Sequence, residues 1–135
     1  MSEPDFDRHG LKNILVPTDF SESSDTALHV AIDLATQQKA SIRLLHVTPC
    51  RQITDQMHRL EDQIARFPEA TSLKIIRELK TGKVYDQIMK IQSQNNIDLI
   101  VIPGRFKTGS YLDRFQNITT RIKRTAPCSV LVVGI

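Results

Sequence analysis

The sequence predicts an α/β fold, a single open five-stranded parallel sheet with helices on both faces. Three observations predict it. Five short runs are rich in Ile, Leu and Val: Asn13–Pro17 (NILVP), Ser41–Val47 (SIRLLHV), Leu73–Leu79 (LKIIREL), Asp98–Ile102 (DLIVI) and Ser129–Val133 (SVLVV). Runs this short and branched read as strands. Three of them are almost wholly apolar, as expected of strands covered on both faces. Between the runs, apolar residues recur at three- and four-residue steps, the helical period. Strict alternation of the two patterns argues for parallel strands joined by right-handed helical crossovers.

Each helix follows from its own stripe. Ser21 or Ser23 can cap a first helix, which continues through Ala27, Leu28, Ala31, Leu34 and Ala35. Ile53, Met57, Leu60 and Ile64 make the second stripe, and Pro68 stops it. Val84, Ile88 and Ile91 make the third, after a turn at Thr81-Gly82. Leu112, Phe115, Ile118 and Ile122 make the fourth, ended near Ala126-Pro127. No repeat, low-complexity segment or linker interrupts the pattern. Residues 1–10 read as a loose tail, and 11–135 as one domain.

Composition narrows the class. The chain has 135 residues, 40% hydrophobic and 24% charged, ordinary values for a globular domain. No apolar run approaches the roughly 18 residues of a membrane span. The start, MSEPDFDRHG, lacks the apolar stretch of a secretion signal, so a cytoplasmic protein is expected. Cys50 and Cys128 form neither a metal spacing nor a disulfide framework, and the strand assignment puts them at opposite ends of the sheet. Net charge is +3, with a pI near 9.0. From Pro103 to Ala126 there are six basic residues (Arg105, Lys107, Arg114, Arg121, Lys123, Arg124) against one acid, Asp113. They form either an anion-facing surface or the solvated face of a helix, and the second is the expectation. With two Tyr and no Trp there are few platforms for stacking bases, so nucleic acid is not an expected partner.

The most informative stretch is Asp98 to Gly109, DLIVIPGRFKTG. A buried strand runs into a loop with Gly104 and Gly109, and with Pro103, Arg105, Phe106 and Lys107 around them. Backbone that wraps a phosphate closely usually needs glycine. In open parallel sheets ligands bind beyond the carboxyl ends of the strands, where neighbouring connections leave in opposite directions. If strands one and four are neighbours, that place is built from Pro17-Thr18-Asp19, Val47-Thr48 and Pro103–Gly109.

Other candidates carry less. Lys107-Thr108-Gly109-Ser110 has the residue types of a Walker A loop in the wrong order. His9, His29, His46 and His58 show no metal spacing, and His46, on the second strand, reads as a satisfied structural residue. Cys128 reads as buried rather than nucleophilic, and Asp86 and Glu61 as solvated helix charges. Asn117-Ile118-Thr119 matches a glycosylation acceptor, which a cytosolic chain does not use. No acid–base pair, triad or metal cluster supports an enzyme.

Four fragments, in order, resemble the universal stress protein family over nearly the whole chain. They are KNILVPTDFS from Lys12 to Ser21 with Ser24 and Ala27-Leu28, then Leu44-Leu45-His46-Val47, Asp98-Leu99-Ile100-Val101, and APCSVLVV from Ala126 to Val133. The resemblance implies strand order 3-2-1-4-5, an adenine nucleotide alpha hydrolase-like, Rossmann-like arrangement. Members that bind ATP carry Gly, two residues, Gly, nine residues, Gly, then Ser or Thr after strand four. Aligned without a gap, the three glycines fall on Pro103, Phe106 and Gln116, and the hydroxyl on Asn117. All four depart from the pattern. Pro103 has no N–H to offer. Phe106 adds bulk, and a positive φ there would cost roughly 1–2 kcal/mol. Gln116 would push its side chain towards the phosphate space, and Asn117 could donate only in amide geometry. Arg105 and Lys107 could compensate by charge, at about 0–1 kcal/mol for each exposed pair.

Asp19 and Val47 match positions that hold base and ribose in ATP-binding relatives, with Pro17 and Thr18 beside them. Asp19 could equally order the strand-to-helix turn. The resemblance therefore implies the branch without the glycine pattern: non-catalytic, dimeric stress-response factors needing no cofactor. A weak or vestigial nucleotide site is assigned to Pro17, Thr18, Asp19, Val47, Gly104, Arg105, Lys107 and Asn117. The alternative is a sensor that binds ATP or AMP weakly there. Family dimers commonly associate through the last strand, and Val130–Val133 carries no charge. A homodimer across it is expected, with a protein partner possible. On strand three, Lys74, Arg77, Glu78 and Lys80 discourage edge pairing.

Overall fold

The structure is a computed structural model that describes residues 10–49, 53–106 and 117–134. Its strands are β1 (Asn13–Pro17), β2 (Ser41–Thr48), β3 (Ile75–Thr81), β4 (Leu99–Pro103) and β5 (Ser129–Val133). Its helices are α1 (Glu22–Gln38), α2 (Ile53–Ala65), α3 (Val84–Gln94) and α4 (Ile118–Thr125). All strand pairs are parallel, in the order β3-β2-β1-β4-β5. The expected fold class and strand order are those observed.

Alternation along β1 splits the core into two layers. Ile14 and Val16 pack with Leu28, Ile32, Ile42, Leu44 and Leu60, beneath α1 and α2. Leu15, between them, packs with Leu45, Ile88, Ile100, Ile102 and Ile122, beneath α3 and α4. Each fully buried Leu or Ile contributes about 1.5–3 kcal/mol, so covering both faces is the main source of stability. Asp98 fixes the amino ends of the central strands: its Oδ2 accepts the N–H groups of Lys12 and Asn13, both at 2.9 Å.

Two strand starts differ from the sequence-based expectation. A 3-10 turn at Pro68–Ser72 follows α2, and Leu73 closes it by donating its N–H to the Ala70 carbonyl. That use of Leu73 delays β3 to Ile75. β4 starts at Leu99 because Asp98 serves as the staple to β1. Of the two caps the sequence offered for α1, Ser21 is the one used, accepting from the Ser24 N–H. Of the fourth stripe, Ile118 and Ile122 lie buried on α4, while Leu112 and Phe115 fall outside the described residues, as do residues 1–9 and Cys50.

The topology places a cleft. From β1 the chain crosses to β2 on one side, and from β4 to β5 on the other. β1 and β4 pair only at Ile14↔Leu99 and Leu15↔Ile100, whereas β1 and β2 pair along all five residues from Asn13 to Pro17. The two central strands thus stop pairing before their carboxyl ends, where Pro17 has no N–H to give.

Candidate functional site

The first wall of the cleft is the turn from β1 into α1. Thr18 is fully buried and every polar group it carries is used. Its N–H donates to the Leu45 carbonyl at 2.8 Å. Its hydroxyl donates to Gln63 Oε1 at 2.9 Å and accepts the Phe20 N–H at 3.0 Å. Its carbonyl lies 2.8 Å from His46 Nδ1, and since a carbonyl only accepts, Nδ1 carries the hydrogen. Burial pulls the His46 pKa below 6.5; the bond to Thr18 opposes this, Arg59 adds to it, and Asp19 opposes it. His46 is the satisfied structural histidine its strand position suggested.

Asp19 is knitted into the start of α1. Its Oδ1 accepts the Ser21 N–H at 3.0 Å, the Ser21 hydroxyl at 2.5 Å and the Ser24 hydroxyl at 2.5 Å. The Asp19 N–H donates to Ser24 Oγ at 3.1 Å. Of its two sequence-based readings, the ordering of this turn has direct geometric support. Phe20 follows with φ +64°, a left-handed conformation unusual for an aromatic residue. The bend turns its ring onto His46, 4.3 Å between centroids, and the Arg59 guanidinium lies over the ring, 4.2 Å from its centroid.

Gln63, Asp25, Arg66 and Arg59 were not singled out in the sequence. Gln63 Nε2 donates to Asp25 Oδ1 at 2.9 Å, and Arg66 donates to the same oxygen at 3.0 Å. The available signal was a polar residue three positions after Leu60 on the apolar stripe of α2. The partner lies 45 residues away, so nothing local identifies the pair.

The opposite wall comes from β4 and α4. Pro103 is buried, and its carbonyl accepts the Thr119 hydroxyl at 2.7 Å. The Gly104 N–H donates to the Val133 carbonyl at 3.1 Å, extending the β4–β5 ladder. Gly104 is not among the positive-φ residues, so backbone freedom does not explain it. Phe106 is likewise absent from them, and the strain considered there does not arise; its ring packs half-buried against the second core layer. Asn117 caps α4: its Oδ1 accepts the Thr119 and Thr120 N–H groups at 2.9 and 3.4 Å, and its Nδ2 donates to the Gly104 carbonyl at 3.4 Å. It thus acts chiefly as an acceptor for the helix, and the Thr119 and Thr120 amides of its first turn are already engaged.

The structure brings Pro17, Thr18 and Asp19 to one wall and Gly104 and Asn117 to the other. Val47, almost fully buried, packs with Val84 in the second core layer. Arg105 is exposed at the end of β4, and Lys107, Gly109 and Gln116 lie outside the described residues. Half-burial raises the Cys128 thiol to about 11, which keeps it protonated and unreactive near neutral pH. Asp86 and Glu61 are exposed, as their helix positions implied. Among the described residues no group of three or more His, Cys, Asp or Glu side chains could hold a metal ion. No helix among them is long and apolar enough to cross a membrane.

Against known families, the model of the universal stress protein family matches residues 10–134. The chain belongs to the universal stress protein family. It is 25% identical to universal stress protein MJ0531 of Methanocaldococcus jannaschii, over 90% of this chain and 81% of that protein. Among solved structures, a universal stress protein in complex with cAMP superposes with a TM-score of 0.74 at 18% identity, over 91% of this chain and 97% of that one. A universal stress protein from Archaeoglobus fulgidus in complex with dAMP gives 0.72 at 16% identity, over 90% and 97%. Identities this low establish the common fold, and the family match covers nearly the whole chain.

Proposed function

We propose that this universal stress protein is a non-catalytic, dimeric stress-response factor of the cytosol whose nucleotide site is degenerate. One observation carries the reading. Among the described residues, donors that a phosphate chain would seek are used within the protein: Asn117 holds the Thr119 and Thr120 amides of α4, and the Gly104 N–H is tied to Val133. Pro103 adds no donor. Charge from exposed Arg105 replaces such a set of donors poorly, because an exposed ion pair contributes only about 0–1 kcal/mol. Among the described residues no side chain in the cleft is placed to activate water, and the reading includes no hydrolysis.

A second reading has its own support. Relatives of this fold are described in complex with cAMP and dAMP, each with a single phosphate and so fewer donors to satisfy. The parting of β1 and β4 keeps a cleft beside Asp19. A weak adenine-nucleotide sensor, favouring AMP over ATP, is the alternative.

Calorimetric titration of ATP, ADP and AMP separates the two. The degenerate site predicts no Kd below about 10 μM, roughly −7 kcal/mol, for any of them. Tighter binding that Asp19→Ala abolishes would establish the sensor instead.

The dimer is proposed through β5. Its one open edge is uncharged, and Leu131 is 38% exposed at its centre. Light scattering at micromolar concentration should give twice the chain mass, and Leu131→Lys should give the monomer. A monomeric parent protein would remove this part of the proposal.

A further inference from the structure

The opposite edge of the sheet carries a different surface. β3 has β2 on one side and, among the described residues, no strand on the other. The Ile42 N–H bonds to the Lys74 carbonyl at 2.9 Å, and the Gly82 N–H to the Thr48 carbonyl at 3.2 Å. In a parallel ladder alternate residues bond to the same neighbour. Even-numbered residues therefore turn their peptide groups to β2, and Ile75, Arg77 and Leu79 turn theirs to the open side.

The side chains of that edge are sorted by face. Ile75 and Leu79 join the core layer beneath α2. Beside them runs a groove of about 460 Å³, lined by Ile64, Phe67, Ala70, Leu73, Ile75 and Arg77. On the other face Glu78 is paired with Arg43 and with Lys80, the latter at 3.7 Å. Lys74 and Arg77 are exposed and make no ion pair with a described residue. Over 74–80 three cations, Lys74, Arg77 and Lys80, face one acid, Glu78. A second copy of this edge would bring the same excess of positive charge against itself, so self-pairing is opposed. A strand carrying acids is attracted.

We propose that the β3 edge and its groove dock an extended segment of a partner protein in which apolar and acidic residues alternate. Added as a sixth strand, such a segment bonds its backbone to Ile75, Arg77 and Leu79. Its apolar side chains enter the groove, and its acidic ones, on the opposite face, meet Lys74 and Lys80. The pleat supplies the required alternation. The cations that keep copies of the chain apart thus select the partner.

The probe is a capped, fluorescein-labelled heptapeptide alternating glutamate and leucine, followed by anisotropy. Its controls are an alternating lysine–leucine peptide and an all-glutamate peptide. Binding should be confined to the first, and should weaken roughly tenfold with Lys74→Glu and as salt is raised. Arg77→Pro tests the backbone contact separately: it removes an outward N–H without touching the ladder to β2, as proline is tolerated on sheet edges. It should also weaken binding. Amide shifts of the unmodified protein on peptide addition should map to residues 73–81, which decides the matter even if a variant fails to fold. Equal binding of either control, no binding of the alternating peptide, or shifts mapping to α4 instead, would overturn the proposal.

Discussion

Gln63 bridges Thr18 and Asp25. Its amide oxygen takes the Thr18 hydroxyl and its amide nitrogen gives to Asp25 Oδ1, both at 2.9 Å, and the side chain is 0% exposed. One residue of α2 therefore holds both the end of β1 and the first turn of α1. Gln63→Leu keeps the volume and removes both bonds, leaving the buried Thr18 hydroxyl with no acceptor. The expected loss is about 1–3 kcal/mol in urea denaturation. A double-mutant cycle with Thr18→Val should show a coupling of about 0.5 kcal/mol or more. Additive losses would mean the two side chains act independently.

Asn117 caps the start of α4. Asn117→Ala should lower stability by about 1 kcal/mol, because two amides at the start of α4 lose their acceptor. Asn117→Ser should recover most of it. The serine variant should still bind ATP no better than the parent, as Pro103 and the Gly104–Val133 bond remain. Chemical denaturation checks the first two outcomes and calorimetry the third. Micromolar ATP binding by Asn117→Ser would show that this single side chain closes the site.

How far the sequence reached follows from range. The strands and helices were legible because period and composition are local: Ile14, Leu15 and Val16 already show that both sheet faces are covered. The walls of the cleft were legible from Pro17-Thr18-Asp19 and from the departures at Pro103 and Asn117. The network behind the turn was not, since Thr18 and Gln63 meet only through the packing of α2 on the sheet. A positive φ was weighed only as a condition at Phe106, a departure from a glycine pattern; the aromatic residue with a left-handed backbone among those described is Phe20. There the bend needed to start α1 after Asp19, together with ring contacts from His46 and Arg59, outweighs the aromatic residue's preference for negative φ. The 3-10 turn before β3 depends on Leu73 closing on Ala70, a choice that the apolar run LKIIREL does not reveal.

Lys39 ends α1 in the left-handed region, φ 57° and ψ 43°, with its N–H on the Ala35 carbonyl. Its side chain is exposed, so little packing depends on it. Glycine adopts this conformation without the clash between Cβ and the carbonyl. Lys39→Gly should therefore stabilise the protein by about 1 kcal/mol, raising Tm by roughly 3–5 °C. A thermal melt checks it. A fall in Tm would mean that the lysine stem supports the end of α1.

His46 makes stability depend on pH, and the sign can be worked out. Burial holds its pKa in the folded protein below the ordinary 6.5. Below pH 6.5 the unfolded chain takes up the proton first, so the folded state loses ground. The loss grows as pH falls towards the folded pKa and then stops. Above 6.5 both states are neutral at this residue and it contributes no slope. His46→Leu removes the titration together with the bond to Thr18, so it should be less stable than the parent at pH 7.5. Between pH 7.5 and 5.5 the parent's urea midpoint should fall further than the variant's, so that the gap between them narrows. Comparing the two proteins cancels the contributions of every group they share. A gap that stays constant or widens over that interval would mean that His46 accepts its proton in the folded protein as readily as in the unfolded chain.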